Sequence, residues 1–251
     1  MLSPAKTSDT CWWCEAAPAD SREHKLKRSD LVRQFGSGPY PELVSVRDGK
    51  SRNMQGPNST LAKFKATMCA KCNNQRSQPF DLAYDQFTRY IHEHERHVLA
   101  SRSVDLRAAY GKDWEPGRDG LLRYMAKHVG CRLAENNVEV PPSIRRYLDG
   151  GPEPRADLAL EFEIRADIAA ATKTALSEGS MWLGDVYFSE LDTEGRALVI
   201  ESHYGYRWLR VAWGVGSDLE GYPWPFRAPF QPLPHGPTEP RCQPSELRPF
   251  G

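Results

Sequence analysis

The sequence predicts an α+β protein in two parts: a small module tied together through cysteines, then a larger α+β domain built on an antiparallel sheet. Three observations lead there. Two Cys-x-x-Cys pairs, Cys11/Cys14 and Cys69/Cys72, frame the first third of the chain. Next, Phe80, Ala83, Phe87, Tyr90, Ile91, His94 and Val98 recur at three- and four-residue spacing, the period of a helix with one packed face. Third, the aromatic and β-branched segments between Leu158 and Val215 read as strands of an antiparallel meander. The parts are expected at residues 1–110 and 111–220, with a proline-rich tail over 221–251.

The first Cys pair opens the module as a tight turn. The Gly-, Pro-, Ser- and Asn-rich run over residues 36–59 reads as a long loop. Residues 61–68 alternate weakly and read as a strand leading into the second pair, and the periodic segment gives a helix over 80–100. Residues 111–120, holding Gly111, Pro116, Gly117 and Gly120, read as a boundary, with helical character resuming over 121–131. Pro141 and Pro142 open a short helix that Gly150 and Gly151 end. Leu158, Leu160, Phe162 and Ile164 alternate with Ala and Glu as a half-buried strand, and an alanine-rich helix is expected over 166–176. The meander follows over 182–191, 197–203 and 206–215; the tail then carries nine of the chain's 20 prolines.

At 251 residues, with 39% hydrophobic and 26% charged residues, the composition is that of a folded chain and excludes a disordered one. Net charge is zero but uneven. Met1 to Lys112 carries 18 Lys/Arg against 12 Asp/Glu, and Arg22 to Arg76 alone carries 12 against 4, so the cysteine-bearing segment is the one suited to a polyanion. The remainder carries 15 against 21. The opening residues have no apolar leader and the chain has no run of about 18 apolar residues, which predicts a cytoplasmic protein without a membrane partner. Six cysteines in that setting read as reduced thiols rather than a disulfide framework, with Cys131 and Cys242 as ordinary thiols.

Each Cys-x-x-Cys supplies two thiolates from one turn, and two turns close a tetrahedral site, so Cys11, Cys14, Cys69 and Cys72 are expected to hold a structural Zn²⁺. A redox reading of the pairs would need a βαβ context that the pattern lacks. Between the pairs lies Glu23-His24, and Asn73 directly follows Cys72. A metal drawing the turns together would let the three converge. A carboxylate and a carboxamide oxygen suit Mg²⁺ or Mn²⁺, and an imidazole of near-neutral pKa can take a proton from water.

Cys-Trp-Trp-Cys, Ser-Arg-Glu-His and Cys-Ala-Lys-Cys-Asn-Asn together resemble the HNH endonucleases, whose outline in one variant is C-x-x-C, Ser/Thr-x-Glu/Asp-His, C-x-x-C-Asn. The resemblance covers roughly residues 11–90 and implies a ββα-metal, treble-clef fold in a metal-dependent endonuclease of a bacterial or phage cytoplasm. It implies that His24 is the general base, that Glu23 and Asn73 hold the catalytic divalent ion, and that Asp81 is a further candidate ligand. Asp81 also reads as a residue favoured by the start of a helix, and Asn74 competes with Asn73. The chain departs from the family at the middle Asn, where Phe64 stands instead. Lys25, Lys27, Arg28, Lys63, Lys65, Lys71 and Arg76 are expected to hold the backbone of nucleic acid, DNA ahead of RNA.

Other side chains read more blandly. His92, His94 and His97 read as a polar helix edge, with a 94/97 metal pair as the alternative. Trp12 and Trp13 read as packing over the cysteine site or as a base-stacking pair. Trp182, Tyr187, Tyr204, Tyr206, Trp208 and Trp213 read as core or as a contact for a protein partner or second copy. A zinc-stabilised binding module without catalysis is the alternative to the nuclease, and a redox-switched zinc protein is the third reading.

Overall fold

The computed structural model describes residues 9–47, 50–165, 167–170, 181–191, 197–216 and 219. The two cysteine turns lie side by side because the chain after the first runs antiparallel to the chain that leads into the second. Ser21 N–H donates to the Met68 carbonyl (2.8 Å), Phe64 N–H to Glu23 (2.9 Å) and Lys25 N–H to Ala62 (2.7 Å). Ser21 thus faces Met68 and His24 faces Lys63. The expected strand over 61–68 is therefore a short extended pairing, entered through a 3₁₀ turn at Thr60–Ala62.

Between the two pairing segments the chain makes an excursion. Helix α1 (Arg28–Phe35) comes first; nothing in the sequence reading had marked it. Strands β1 (Tyr40–Arg47) and β2 (Lys50–Met54) then pair antiparallel as a ribbon, which corrects the long loop expected over 36–59. The ribbon's solvent side is so wet that apolar alternation is weak: Lys50, Ser51, Arg52 and Asn53 are all exposed, and so are Val44 and Val46. A strand with neither face packed carries no periodic signal.

After Cys69 the backbone forms a wide turn, Lys71–Arg76, with Ser77 N–H reaching the Cys72 carbonyl five residues back. Helix α2 (Gln78–Glu93) follows, with Pro79 in its first turn and a buried face of Tyr84, Phe87, Thr88, Tyr90 and Ile91. It breaks at His94 and resumes as α3 (Glu95–Ser101). Then come α4 (Leu106–Tyr110), α5 (Trp114–Glu135) and α6 (Pro142–Leu148).

The boundary expected over 111–120 is the first turns of α5, and the reason is packing. A Cβ on Gly120 would lie 2.8 Å from the Ala83 Cβ, so glycine there lets α5 and α2 approach closely. Ten residues on, a Cβ on Gly130 would lie 2.4 Å from the ring of Trp12. These are contact glycines, not breakers, and they seat α5 against the first cysteine turn.

Strand β3 (Leu158–Ile164) pairs with β7 (Leu209–Gly216), β7 with β6 (Ala197–Tyr206), and β6 with both β4 (Met181–Leu183) and β5 (Tyr187–Leu191), all antiparallel. Tyr204, Tyr206, Trp208 and Trp213 are buried, whereas Tyr187 is exposed. Tyr204 and Tyr84 share a hydroxyl hydrogen bond of 2.6 Å that ties β6 to α2. The buried apolar residues from Cys11 to Val215 form one cluster, so the cysteine module and the sheet share a core. The alanine-rich helix is described only at 167–170, and the proline-rich tail lies outside the described residues. Among the described residues, no helix is long and apolar enough to cross a membrane.

Candidate functional site

The sulfurs of Cys11, Cys14, Cys69 and Cys72 all lie within 4.8 Å of one another, with Cys14 and Cys69 at 3.9 Å. Tetrahedral thiolates around zinc sit about 3.8 Å apart, so the group could hold a metal ion such as zinc. The turns are set for thiolates: Cys72 N–H points at the Cys69 sulfur (3.4 Å), and Arg76 donates to the Cys72 sulfur (3.4 Å). Burial pushes the Cys11 and Cys72 thiols up. At Cys14 burial does the same, but backbone N–H groups of Ala16 and Ala17 overcome it and bring the thiol down to about 7. Trp12 and Trp13 pack over the site. Trp12 meets Gly130, while Trp13 stacks on Phe80 with Arg76 above its ring and donates to Asp149 (2.8 Å). Among the described residues these four cysteines are the one group of three or more His, Cys, Asp or Glu placed to share a metal. His92 instead contacts Arg207 and His94 packs on Tyr90.

Glu23 and Asn73 sit on the inner side of the paired segment, 6% and 8% exposed. Asn73 donates from Nδ2 to Ser21 Oγ (2.9 Å), while its Oδ1 is buried without a hydrogen-bond partner. The Glu23 carboxylate accepts from the His24 backbone (2.8 Å) and from Lys127 Nζ (2.6 Å). Lys127 comes from α5, is fully buried, and also reaches both Asp81 oxygens (3.0 and 3.2 Å) and Ser77 Oγ (3.3 Å). Lys27 pairs with Asp81 as well, at 2.5 Å. Burial alone would lower the Lys127 ammonium, but the Glu23 and Asp81 charges hold it above the ordinary lysine value. Asp81 is held below the usual carboxylate range by Lys127 and Lys27, against its own burial. Asn74 is exposed and joins none of this.

His24 lies on the other side of the segment, half-buried opposite Lys63, with Nε2 enclosed and without a partner. Burial lowers its imidazole below the ordinary histidine value; the Lys63 and Lys27 charges add to that, against Glu23 and the Pro57 carbonyl. Around Lys63, which faces His24 across the pairing, runs a cleft of about 430 Å³, walled by the ribbon and the paired segment and lined by Arg22, Lys25, Lys50, Arg52, Lys63 and Lys65, with His24 outside its lining. Its one acid, Glu135, pairs with Lys25 at 2.8 Å.

Of the seven basic residues expected on nucleic acid, the structure brings Lys25, Lys63 and Lys65 into this cleft. It places Lys27 on Asp81 and Arg76 on Asp149, and sets Arg28 beside Asn58 and Lys71 on the exposed wide turn. Sequence reasoning missed Arg22, Lys50 and Arg52. The charge excess between Arg22 and Arg76 contained them; the ribbon that gathers them was not legible.

It also missed two neighbours on α5. Besides Lys127 there is His128, fully buried, with Nε2 at 3.0 Å from the Lys25 carbonyl and its ring edge-on to Phe64. Burial drives this imidazole down to about 4. At this residue the folded chain binds fewer protons than the unfolded chain between about pH 6.5 and about pH 4, so the His128 contribution to stability is lost as pH falls through that window. The loss is on the order of 3 kcal/mol. Thermal melts of wild type and His128→Phe across this range check it: the variant's melting temperature should fall less steeply, and equal slopes would remove His128 as the cause.

The site so built is a four-sulfur cluster, an enclosed carboxylate–ammonium group and a basic cleft around one pairing of backbone segments. Comparison of the chain with protein-family models, with curated proteins and with solved structures finds no match.

Proposed function

We propose that this protein is an HNH-type nucleic-acid phosphodiester hydrolase, with Cys11, Cys14, Cys69 and Cys72 holding a structural Zn²⁺ and His24 as the general base. The observation that carries the reading is a cleft lined by six cations, two of which, Arg22 and Lys25, flank the Glu23-His24 pair in the chain. A phosphodiester backbone is the polyanion such a cleft attracts, through contacts that carry no sequence information. Lys50 and Arg52 stand on a two-stranded β-ribbon, an element type that the major groove of a DNA duplex admits, which favours DNA. In the reaction, His24 Nε2 takes a proton from water as its oxygen bonds to phosphorus. The bond from phosphorus to the 3′ oxygen breaks, and that oxygen leaves to take up a proton. Arg22, Lys63 and their neighbours stabilise the charge gathering on the phosphoryl oxygens.

The divalent ion that the family resemblance adds is a separate matter. Asn73 Oδ1 offers an unpartnered oxygen, but the Glu23 and Asp81 carboxylates are engaged by Lys127. The residues as folded do not fit Mg²⁺ or Mn²⁺ at Glu23.

The same enclosed group favours a second reading, a zinc-stabilised nucleic-acid-binding module without catalysis. One experiment separates them: purified protein is mixed with supercoiled plasmid, and both retardation and nicking are scored. Nicking by wild type supports the hydrolase, retardation without nicking leaves the binding module, and the absence of both removes both readings. Lys63→Glu and Arg52→Glu are each expected to weaken retardation and to lower the slope of log affinity against log salt by about 1. A binding constant indifferent to salt would contradict the cleft's assignment.

A further inference from the structure

We propose that Glu23, Ser77 and Asp81 form a cation site whose resident cation is the Lys127 ammonium, so that the folded chain takes no divalent ion there. The inference stands on this geometry alone, whether or not His24 hydrolyses anything.

The oxygens are those a hard metal ion would choose: two carboxylates from different elements, a hydroxyl and, one helical turn before Ser77, the unpartnered Oδ1 of Asn73. Lys127 Nζ lies 2.6 Å from Glu23, 3.0 Å from Asp81 and 3.3 Å from Ser77. Three N–H donors thus meet three separate acceptors, and the ammonium is saturated. Lone pairs engaged in this way are not available to a cation that binds oxygen at about 2.0–2.1 Å.

Helix packing holds the ammonium in place. Lys127 stands on α5 between Gly120 and Gly130, where the helix backbone meets Ala83 and Trp12 with no space for a side chain. Its charge is also needed: Glu23 is buried, and a carboxylate taken out of water costs several kcal/mol unless it is paired. A purely structural ion pair would be expected to act only on stability. A filled cation site makes a further demand, that emptying it creates a metal site.

The test is Mn²⁺ binding by the full-length, zinc-loaded protein, followed by loss of the electron paramagnetic resonance signal of free Mn²⁺. Wild type and Glu23→Gln are expected to bind equally little at millimolar Mn²⁺. Lys127→Ala is expected to bind one Mn²⁺ per chain on the order of 10-fold tighter or more, and Lys127→Ala with Glu23→Gln to lose that gain. Retained zinc reports that each variant folds. A wild-type Mn²⁺ site abolished by Glu23→Gln would overturn the proposal, as would a folded Lys127→Ala that binds no better than wild type. Should Lys127→Ala lose its zinc, wild type against Glu23→Gln still decides: equal weak binding upholds the proposal and a Glu23-dependent site defeats it.

Discussion

Stripping the zinc proposed at the four cysteines with a strong chelator is expected to unfold the chain, with loss of near-ultraviolet circular dichroism from the tryptophans packed over the site. A four-thiolate zinc site contributes on the order of 10 kcal/mol to folding, comparable with the roughly 5–15 kcal/mol that holds a whole domain together. The structure gives the reason for a large effect here. Cys11 and Cys72 are buried, and their sulfurs are gathered with two others within 4.8 Å. Without a cation they are thiols in a core, and only the short backbone pairing of the adjoining segments brings the two turns together. Trp12 and Trp13 lean on the same turns, and Trp12 is the surface on which α5 rests at Gly130. Because the buried apolar residues form one cluster, the damage should spread to the sheet. Cys69→Ser should reproduce the effect while leaving the chain free of chelator. A melt unchanged by either treatment would show that the cluster is not a structural metal centre.

His24→Ala is expected to lower plasmid nicking by about 10²- to 10⁴-fold, the usual contribution of a positioned base, without changing retardation of the plasmid or the zinc content. The dissociation between the two readouts matters. His24 faces Lys63 across the backbone pairing but is not among the residues lining the cleft, so its loss should spare binding. His24→Gln keeps the shape of the side chain and should fall with alanine, because a carboxamide does not accept the proton. Nicking equal to wild type in both variants would take the base away from His24 and leave the basic cleft with a binding role alone.

What the sequence made legible was whatever leaves a local mark. The cysteine spacing named the sulfur cluster, and the three- and four-residue period placed the start of α2 within two residues but ran it on through the break at His94 into α3. Alternation marked β3, and the aromatic runs marked β6 and β7. The rest depended on partners far along the chain. Gly117 and Gly120 read as a break because glycine lowers helix propensity. Only the nearness of Ala83 shows that Gly120 was needed for contact. The ribbon was hidden by its exposed faces. Lys127 sits 104 residues from Glu23, and no pattern in a single sequence announces that pairing. For the site itself, the residue types around Glu23, His24 and Asn73 were visible, but not which side of the segment each takes. Glu23 and Asn73 turn inward, and His24 stands on the side of Lys63.

The 54 residues between Cys14 and Cys69 start and finish at one backbone pairing, which a bound metal would staple shut. From the standpoint of the core, the ribbon is a tethered outgrowth. Lengthening a closed loop costs little, about 0.6 kcal/mol for each doubling. The ribbon's tip can therefore be shortened, extended or exchanged for another hairpin while the stapled base keeps its shape. Insertions and deletions at that hairpin are expected to leave the sulfur cluster beneath it in place.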